Sequence, residues 1–403
     1  MGSAKRKAGS LYLHADGDSF FVACELSVRP ELRGKPVIVG ADRGIAVAMN
    51  PEAKKLGITR GMPVFRIKKL FPQVVVLPHD FELYNRVAQG MLSILSSYFR
   101  DVEVYSIDEC FALVRPSEAK YFGGEENLLM ELKKEIEGTL SVTYSLGLAR
   151  TKALSKLASK LEKPGGVVML LTKADEVDAL KRTNVEDIWG IGRQTYPKLK
   201  ALGIQTAYDF VNYPDSKIAR EFSRPTMDMK RELAGEEILE VVSDADPRDQ
   251  KSIQSTATFR PASTDPKIIW REIAENAEHA CENARDIKLV SNKISFFVKT
   301  SGFKYRFAEV KLEEYTADPG RILNALEPEF AKLLKKGERI RSTGVILHNL
   351  RKGETIPLDL FGRQEKALKR TAIEEAADRI RQKHGPGAIK HASALGKKRG
   401  MEN

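Results

Sequence analysis

Three acidic residues carry the first chemical signal. Asp16 closes the alternating segment Leu11-Tyr12-Leu13-His14-Ala15-Asp16, and Asp108-Glu109 follows a second β-like run far downstream. Neighbours in a straight strand face opposite ways, so Asp108 and Glu109 share a ligand only where the chain turns. With Asp16 on an adjacent strand, three carboxylates would converge. Like charges at that range call for a cation, and hard oxygen donors favour Mg²⁺ or Mn²⁺. Two such ions form the clamp used in phosphoryl and nucleotidyl transfer. Spacing alone leaves a second reading open, in which these are solvated acids at strand ends.

The elements that must hold these acids are legible as periodicity. In the first strand Leu11, Leu13 and Ala15 share one face, and Tyr12, His14 and Asp16 the other. Residues 19–27 read as a helix with Phe20, Ala23 and Cys24 inward. A buried strand follows at 37–39, a short helix at 53–56 closed by Gly57, a strand at 74–77 and an amphipathic helix at 84–99. Residues 102–107 read as a strand running into Asp108-Glu109. Strands return at 110–114, 142–148 and 167–171, with helices at 125–138 and 151–162. This mixture predicts an α/β or α+β domain. After about residue 172 the chain turns to short helices and frequent glycine, and 241–250 reads as a linker. From 251 to 351, strands at 253–259, 292–299, 306–311 and 341–349 alternate with helices at 266–284 and 319–336. The remainder reads as a tail.

The chain has 403 residues, 42% apolar and 30% charged, enough for several compact cores and unlike a disordered or fibrous protein. It has no run of eighteen apolar residues, which predicts no membrane span, and Met1–Lys7 does not read as a secretory signal. Cys24, Cys110 and Cys281 are scattered without metal-like spacing, as expected of buried thiols in a reducing cytoplasm. Net charge is +11 and unevenly placed: residues 362–403 carry 11 Lys/Arg against 5 Asp/Glu, while 11–247 carry 32 against 34. Basic ends on a near-neutral body suit a polyanionic partner such as nucleic acid, although solubility alone also accounts for them.

Read in full, residues 13–25 (LHADGDSFFVACE) resemble the opening motif of the Y-family DNA polymerases, the DinB and UmuC lesion-bypass type. Tyr105-Ser106-Ile107-Asp108-Glu109-Cys110-Phe111 resembles that family's second carboxylate motif. The segments 34–39, 50–63, 145–160 and 163–166 also match, in the family's order, and the resemblance runs from about 11 to 361.

The resemblance implies an α+β multidomain right hand. Its parts are a palm at 11–28 and 80–171, small fingers at 29–79, a helical thumb with a helix-hairpin-helix at 172–240, a linker at 241–250, an α+β little finger at 251–351 and a tail at 352–403. It implies a template-directed, low-fidelity DNA polymerase that adds deoxynucleoside triphosphates to a primer 3′-hydroxyl. Asp16 and Asp108 would bridge two Mg²⁺ (or Mn²⁺) ions, Glu109 would be the third acid, and the Gly17 carbonyl would complete the nucleotide-side ion. Phe21 matches the steric gate against a 2′-hydroxyl, and Lys156 the lysine that binds triphosphate. Lys54 would be a phosphate contact, in a fingers loop where many DinB-type members carry Tyr and Arg in place of Pro51 and Lys54; this version looks closer to the UmuC branch. Gly190 and Gly192 mark a hairpin that holds a DNA phosphate. Lys251, Arg260, Lys293, Lys299, Lys304, Arg306 and Arg341 give the little finger its cations. Leu358, Leu360 and Phe361 resemble a clamp-binding peptide, with Pro357 in place of the usual Gln. Primer-template DNA, nucleotides and a sliding clamp are the implied partners, with a cytoplasmic monomer on DNA.

Two other classes compete. A catalytically silent scaffold of a damage-tolerance complex should have lost the carboxylates, and all three are present. A palm-fold nucleotidyl cyclase needs neither a hairpin thumb nor a clamp peptide.

Overall fold

The structure, a computed structural model, describes residues 9–41, 44–243, 250–353, 363–385 and 388–389. Leu358, Leu360 and Phe361 lie outside them. The chain divides into two compact units, Met1–Ala245 and Asp246–Asn403.

The first unit is built on β1 (Leu11–Gly17), α1 (Phe20–Ser27), β2 (Val37–Gly40), β3 (Ala46–Met49), α2 (Pro51–Lys55), α3 (Val64–Leu70), β4 (Val75–Leu77), α4 (Phe81–Tyr98), β5 (Val102–Val104), β6 (Glu109–Val114), α5 (Pro116–Tyr121), α6 (Glu125–Leu140), β7 (Tyr144–Ala149), α7 (Lys152–Leu161) and β8 (Val167–Leu170). Five strands form a sheet in the order β5-β6-β1-β7-β8, antiparallel except for the β7–β8 pair. The alternation in β1 works as the sequence implies. Leu13 and Ala15 enter a core with Leu83, Met91, Leu128 and Leu132 of α4 and α6, while Tyr12 and His14 face the opposite side and are also buried. On that second side α7 lies close to the sheet, and Gly147 makes the approach geometrically feasible. A Cβ at Gly147 would stand 2.1 Å from the Ser155 carbonyl oxygen and 2.4 Å from the Ser159 nitrogen.

Helices α8 (Lys173–Arg182), α9 (Tyr196–Ala201), α10 (Ala207–Asn212), α11 (Asp215–Glu221) and α12 (Arg224–Ala234) follow without a strand among them. They pin the start of α7. The buried Glu232 carboxylate of α12 accepts hydrogen bonds from Ala153, Ile238 and Leu239 backbone nitrogens (3.1, 2.7 and 2.7 Å), and Thr151 donates to the Glu232 carbonyl at 2.9 Å. Strands β3-β2-β4 form a separate small sheet carrying α2. There Asn50 caps α2 by accepting from Ala53 N (3.1 Å) and ties the cap to β2 through Val37 N (2.9 Å), with Pro51 in the first turn, where a missing N–H costs nothing.

The second unit holds β9 (Ser252–Ser263), α13 (Pro266–Asp286), β10 (Leu289–Thr300), β11 (Tyr305–Thr316), α14 (Pro319–Leu333), β12 (Ile340–His348), β13 (Arg351–Lys352) and α15 (Arg363–His384). Its main sheet runs β11-β10-β12-β9. Ile294, Phe296, Val298, Val345 and Leu347 pack with Ile269, Ile273, Ala277, Ile322 and Leu326 of α13 and α14, so one sheet face is core. The segment read as a tail contains α15. A buried ion pair, rather than an apolar stripe, seats it: Arg285 donates to Asp378 at 2.6 and 2.9 Å. Apolar periodicity carries no trace of that anchor.

Candidate active site

The register places Asp16 directly opposite Glu109 on one side and Ser145 on the other. The predicted strand at 102–107 ends early, at Val104, because the chain reverses there. Tyr105 and Ser106 nitrogens both donate to the Glu109 carbonyl, at 3.0 and 3.1 Å, and Gly17 N donates to the Asp108 carbonyl at 3.0 Å. That turn brings Asp108 to the same corner as Glu109. Ser106 Oγ fixes the Asp108 carboxylate from 2.5 Å.

A cleft of about 800 Å³ opens at this corner. Asp16, Gly17, Phe21, Lys54, Asp108 and Lys163 line it, with Arg60 and residues of β3 opposite. Phe21 forms a fixed wall. Its ring stacks on Tyr84 (4.6 Å between centroids, 18° between planes), and the Tyr84 hydroxyl is in turn held by Glu25 at 2.6 Å. Phe20 is buried in the core, as its period predicts. Lys54 reaches across to Ser19, with Nζ 3.3 Å from Oγ.

Two of the three carboxylates are already paired with lysines. Lys163 Nζ sits 2.6 Å from Asp16 Oδ1, and Lys156 Nζ 2.6 Å from Glu109 Oε2. Burial pushes the Asp16 carboxyl up to about 6; the Lys163 ammonium pulls against that, and Glu109 and Asp108 add to it. Lys156, read as a triphosphate ligand, has a different environment. It is 5% exposed, outside the cleft lining, with its ammonium 4.4 Å from the Tyr105 ring centroid, 5.3 Å from Trp189 and 5.9 Å from Phe111. Trp189 Nε1 donates to the Tyr105 hydroxyl at 2.9 Å and closes the cage. Asp18 shares the Lys163 ammonium with Asp16, at 3.7 Å, but its hydrogen bonds go elsewhere. It accepts from Ser145 Oγ (2.9 Å) and Gly165 N (2.8 Å), which anchors the loop that carries Lys163.

Three residues escaped the sequence reading. Lys163 and Arg60 enter the cleft from loops, where periodicity says nothing. His14 is fully buried beneath the acids, and its donor atom and those of Asp16 and Glu109 lie within 4.8 Å of one another. Ser159 Oγ donates to the Lys156 carbonyl at 3.0 Å, so the 2.7 Å contact with His14 Nδ1 requires the imidazole to donate. Nε2 then bears a lone pair with no partner. Burial, reinforced by Lys156 and Lys163, holds the imidazole pKa well below 6.5. The corner fits a divalent cation: oxygen donors converge on an open cleft, and one of them, Asp16, stays hard to ionise even with the Lys163 ammonium beside it.

The impB/mucB/samB family model matches residues 15–160, and the model for that family's C-terminal domain matches 250–360. The chain therefore belongs to the impB/mucB/samB family, the Y-family DNA polymerases of DinB/UmuC type. Among similar proteins, "Protein UmuC" of Salmonella typhimurium is 31% identical over 399 residues, covering 94% of this chain and 92% of that one. "DNA polymerase IV" of Desulfatibacillum aliphaticivorans is 29% identical over 396 residues, covering 96% and 97%. Of solved structures, a Y-family DNA polymerase chimera matches with a TM-score of 0.71 at 22% identity, covering 84% of this chain and 98% of that one. DinB from Sulfolobus solfataricus matches with a TM-score of 0.54 at 21% identity and the same coverage. The polymerase has the mixed helix and sheet architecture of these neighbours, and among its described residues no helix is long and apolar enough to cross a membrane. Gly190 and Gly192 sit between α8 and α9. Gly190 has φ +85°, a left-handed conformation that glycine adopts at no steric cost.

Proposed function

We propose that this polymerase extends a primer across damaged template by a two-metal mechanism at the Asp16–Asp108–Glu109 corner. The observation that carries the reading is the pairing of Asp16 with Glu109 across β1 and β6, beside a turn that delivers Asp108 to the same cleft. Asp16, Asp108, Glu109 and the Gly17 carbonyl would hold two Mg²⁺ ions, with Mn²⁺ an alternative. Bound there, the ions supply an ionised primer hydroxyl and charge stabilisation on the α-phosphate and leaving pyrophosphate.

The chain's own residues account for the rest. Phe21, braced by Tyr84, lies under the sugar and excludes a 2′-hydroxyl. Lys163 and Lys54 face the cleft and meet the triphosphate, so the contact first read at Lys156 passes to Lys163. Lys156 is a positioning residue that orients Glu109 from its aromatic cage. The backbone around Gly190 and Gly192 holds a DNA phosphate without reading sequence.

The palm, fingers, thumb, linker and little finger follow the boundaries given above. Leu358, Leu360 and Phe361 bind a sliding clamp, and the protein works as a monomer on DNA. Buried, unpaired Cys24, Cys110 and Cys281 suit a reducing cytoplasm. Primer extension with Mg²⁺ across a lesion panel tests the reading. Asp108→Asn should abolish extension and leave primer binding nearly intact; full extension by that variant would remove the metal assignment. Deleting 356–361 should reduce clamp-stimulated synthesis only, and equal loss of basal synthesis would point to a folding role.

A further inference from the structure

A second cavity in the first unit, of about 370 Å³, shares no lining residue with the acidic cleft. Helix α7 presents one face to it: Ala153, Lys156, Leu157, Lys160 and Leu161 recur at three- and four-residue spacing. Buried Ile188, Met229 and Leu233 line it as well, and they pack with Ala153 and Leu157 in one apolar cluster. The cavity is therefore an indentation in a packed core, where voids of this size are rare. Trp189 gives it a flat wall. That indole is held in place, stacked on Phe111 at 5.6 Å and 28° and hydrogen-bonded to the Tyr105 hydroxyl.

The polar groups of the lining are mostly cationic. Lys156 is committed to Glu109, and Arg182, with a side chain 54% exposed, reaches Asp178 at 3.4 Å. Lys160 is less well served. Its ammonium donates to a neutral group, the Asp187 carbonyl, at 3.1 Å, and among the described residues no carboxylate forms an ion pair with it. Desolvation, with Lys156 one turn away, lowers the Lys160 pKa, while the Asp187 carboxylate pulls the other way. An anion at this point would relieve two crowded ammonium groups. A bare inorganic anion would leave the apolar floor and the indole uncovered, and a neutral ring would leave Lys160 as it stands. A small cavity with an apolar floor, an aromatic wall and cations in its lining suits a flat ring that bears one acidic group.

We infer that this cavity binds a small aromatic anion: the ring lies along Trp189 over Leu157 and Met229, and the acidic group meets Lys160 and Arg182. The inference goes beyond the polymerase reading and does not depend on metal binding at Asp16, Asp108 and Glu109.

The test uses 1-anilinonaphthalene-8-sulfonate as the probe and the full chain carrying Trp270→Phe, which leaves Trp189 as the sole tryptophan. Titration should quench Trp189 and brighten the probe together, in one saturable step. Lys160→Glu should weaken that step about tenfold, and Arg182→Ala about threefold. Lys160→Gln, a milder change, should weaken it about threefold, so the result does not rest on a charge reversal that could disturb folding. N-Phenyl-1-naphthylamine, the same ring system without the sulfonate, should bind about tenfold more weakly than the probe. Unchanged affinity in both Lys160 variants overturns the inference, as does equal affinity for the uncharged ring. Probe emission that rises without loss of Trp189 emission also overturns it, because the dye would then sit elsewhere. Asp108→Asn should bind the probe normally, so failure of the catalytic reading and failure of this one give different results.

Discussion

Replacing Lys163 with alanine separates the two things its ammonium does. In the resting protein it neutralises Asp16 from 2.6 Å, with its side chain 31% exposed. A hydrogen bond between charged groups contributes about 1.5–3 kcal/mol, and partial solvation favours the lower part of that range, about 2 kcal/mol. An arriving triphosphate offers the same ammonium a new anion, so the contact is transferred rather than lost. Without Lys163 the nucleotide loses that partner, and kcat/KM for the incoming deoxynucleotide should fall about 30-fold, mainly through KM. Metal binding in the absence of nucleotide should move the other way, because a divalent ion no longer has to displace the ammonium from Asp16. That titration belongs at pH 8.5, well above the parent's Asp16 pKa of about 6, because losing the ammonium raises that pKa further. Single-nucleotide incorporation and Mn²⁺ titration by electron paramagnetic resonance read the two effects. A KM within about twofold of the parent, or weaker Mn²⁺ binding in the variant, would refute the reasoning.

Phe21→Ala should admit ribonucleotides, seen as a collapse of the deoxy-to-ribo ratio of kcat/KM with deoxynucleotide incorporation largely kept. Lys156→Met should lower kcat more than it raises KM, since Glu109 loses its orienting partner, and an unchanged kcat argues against a positioning role. Gly147→Ala should destabilise the first unit by about 3 kcal/mol in thermal melts, because the new methyl meets helix backbone that has no rotamer to yield. Asp16→Asn should stabilise the metal-free protein at pH 8. The folded carboxyl titrates near 6 against 3.8 unfolded, so the stability it contributes is complete below 3.8 and is lost as pH rises through 6. The gap corresponds to about 3 kcal/mol, part of which Lys163 gives back when it loses its mate. Melts of both proteins between pH 4 and 8 should converge at the acid end.

Much of this was legible before any coordinates. The alternation of Leu11, Leu13 and Ala15 placed Asp16 at a strand end, and the Asp108-Glu109 pair implied a turn that the structure contains. What escaped was set by tertiary contact. The strand at 102–107 ends at Val104 because Tyr105 and Ser106 hydrogen-bond back to Glu109, a local closure that apolar periodicity does not record. Lys156 sits midway along α7 and Lys163 just past its end, and sequence gives no reason to prefer one. Three-dimensional position separates them, since one enters the aromatic cage and the other the cleft. Helix α15 was invisible because ion pairs between residues distant in the chain, Arg285–Asp378 and Lys288–Glu375, seat it.

The site's assembly hangs on α7. Through Lys156 the helix holds Glu109, through Lys152 it holds Glu103 of β5 at 2.7 Å, and through Ser159 it orients His14 beneath Asp16. Its own start is pinned by Glu232 of α12, and its distance from the sheet is set by Gly147. A helix fixed at so many points lets the first unit gather repelling carboxylates before any metal arrives, with ammonium groups standing where positive charge is needed. The cost of bringing acids together is met during folding, and nucleotide and metal then exchange partners with lysines already in place. On this argument the acidic corner is preorganised in the free protein, and substrate binding redistributes existing ion pairs instead of building the site.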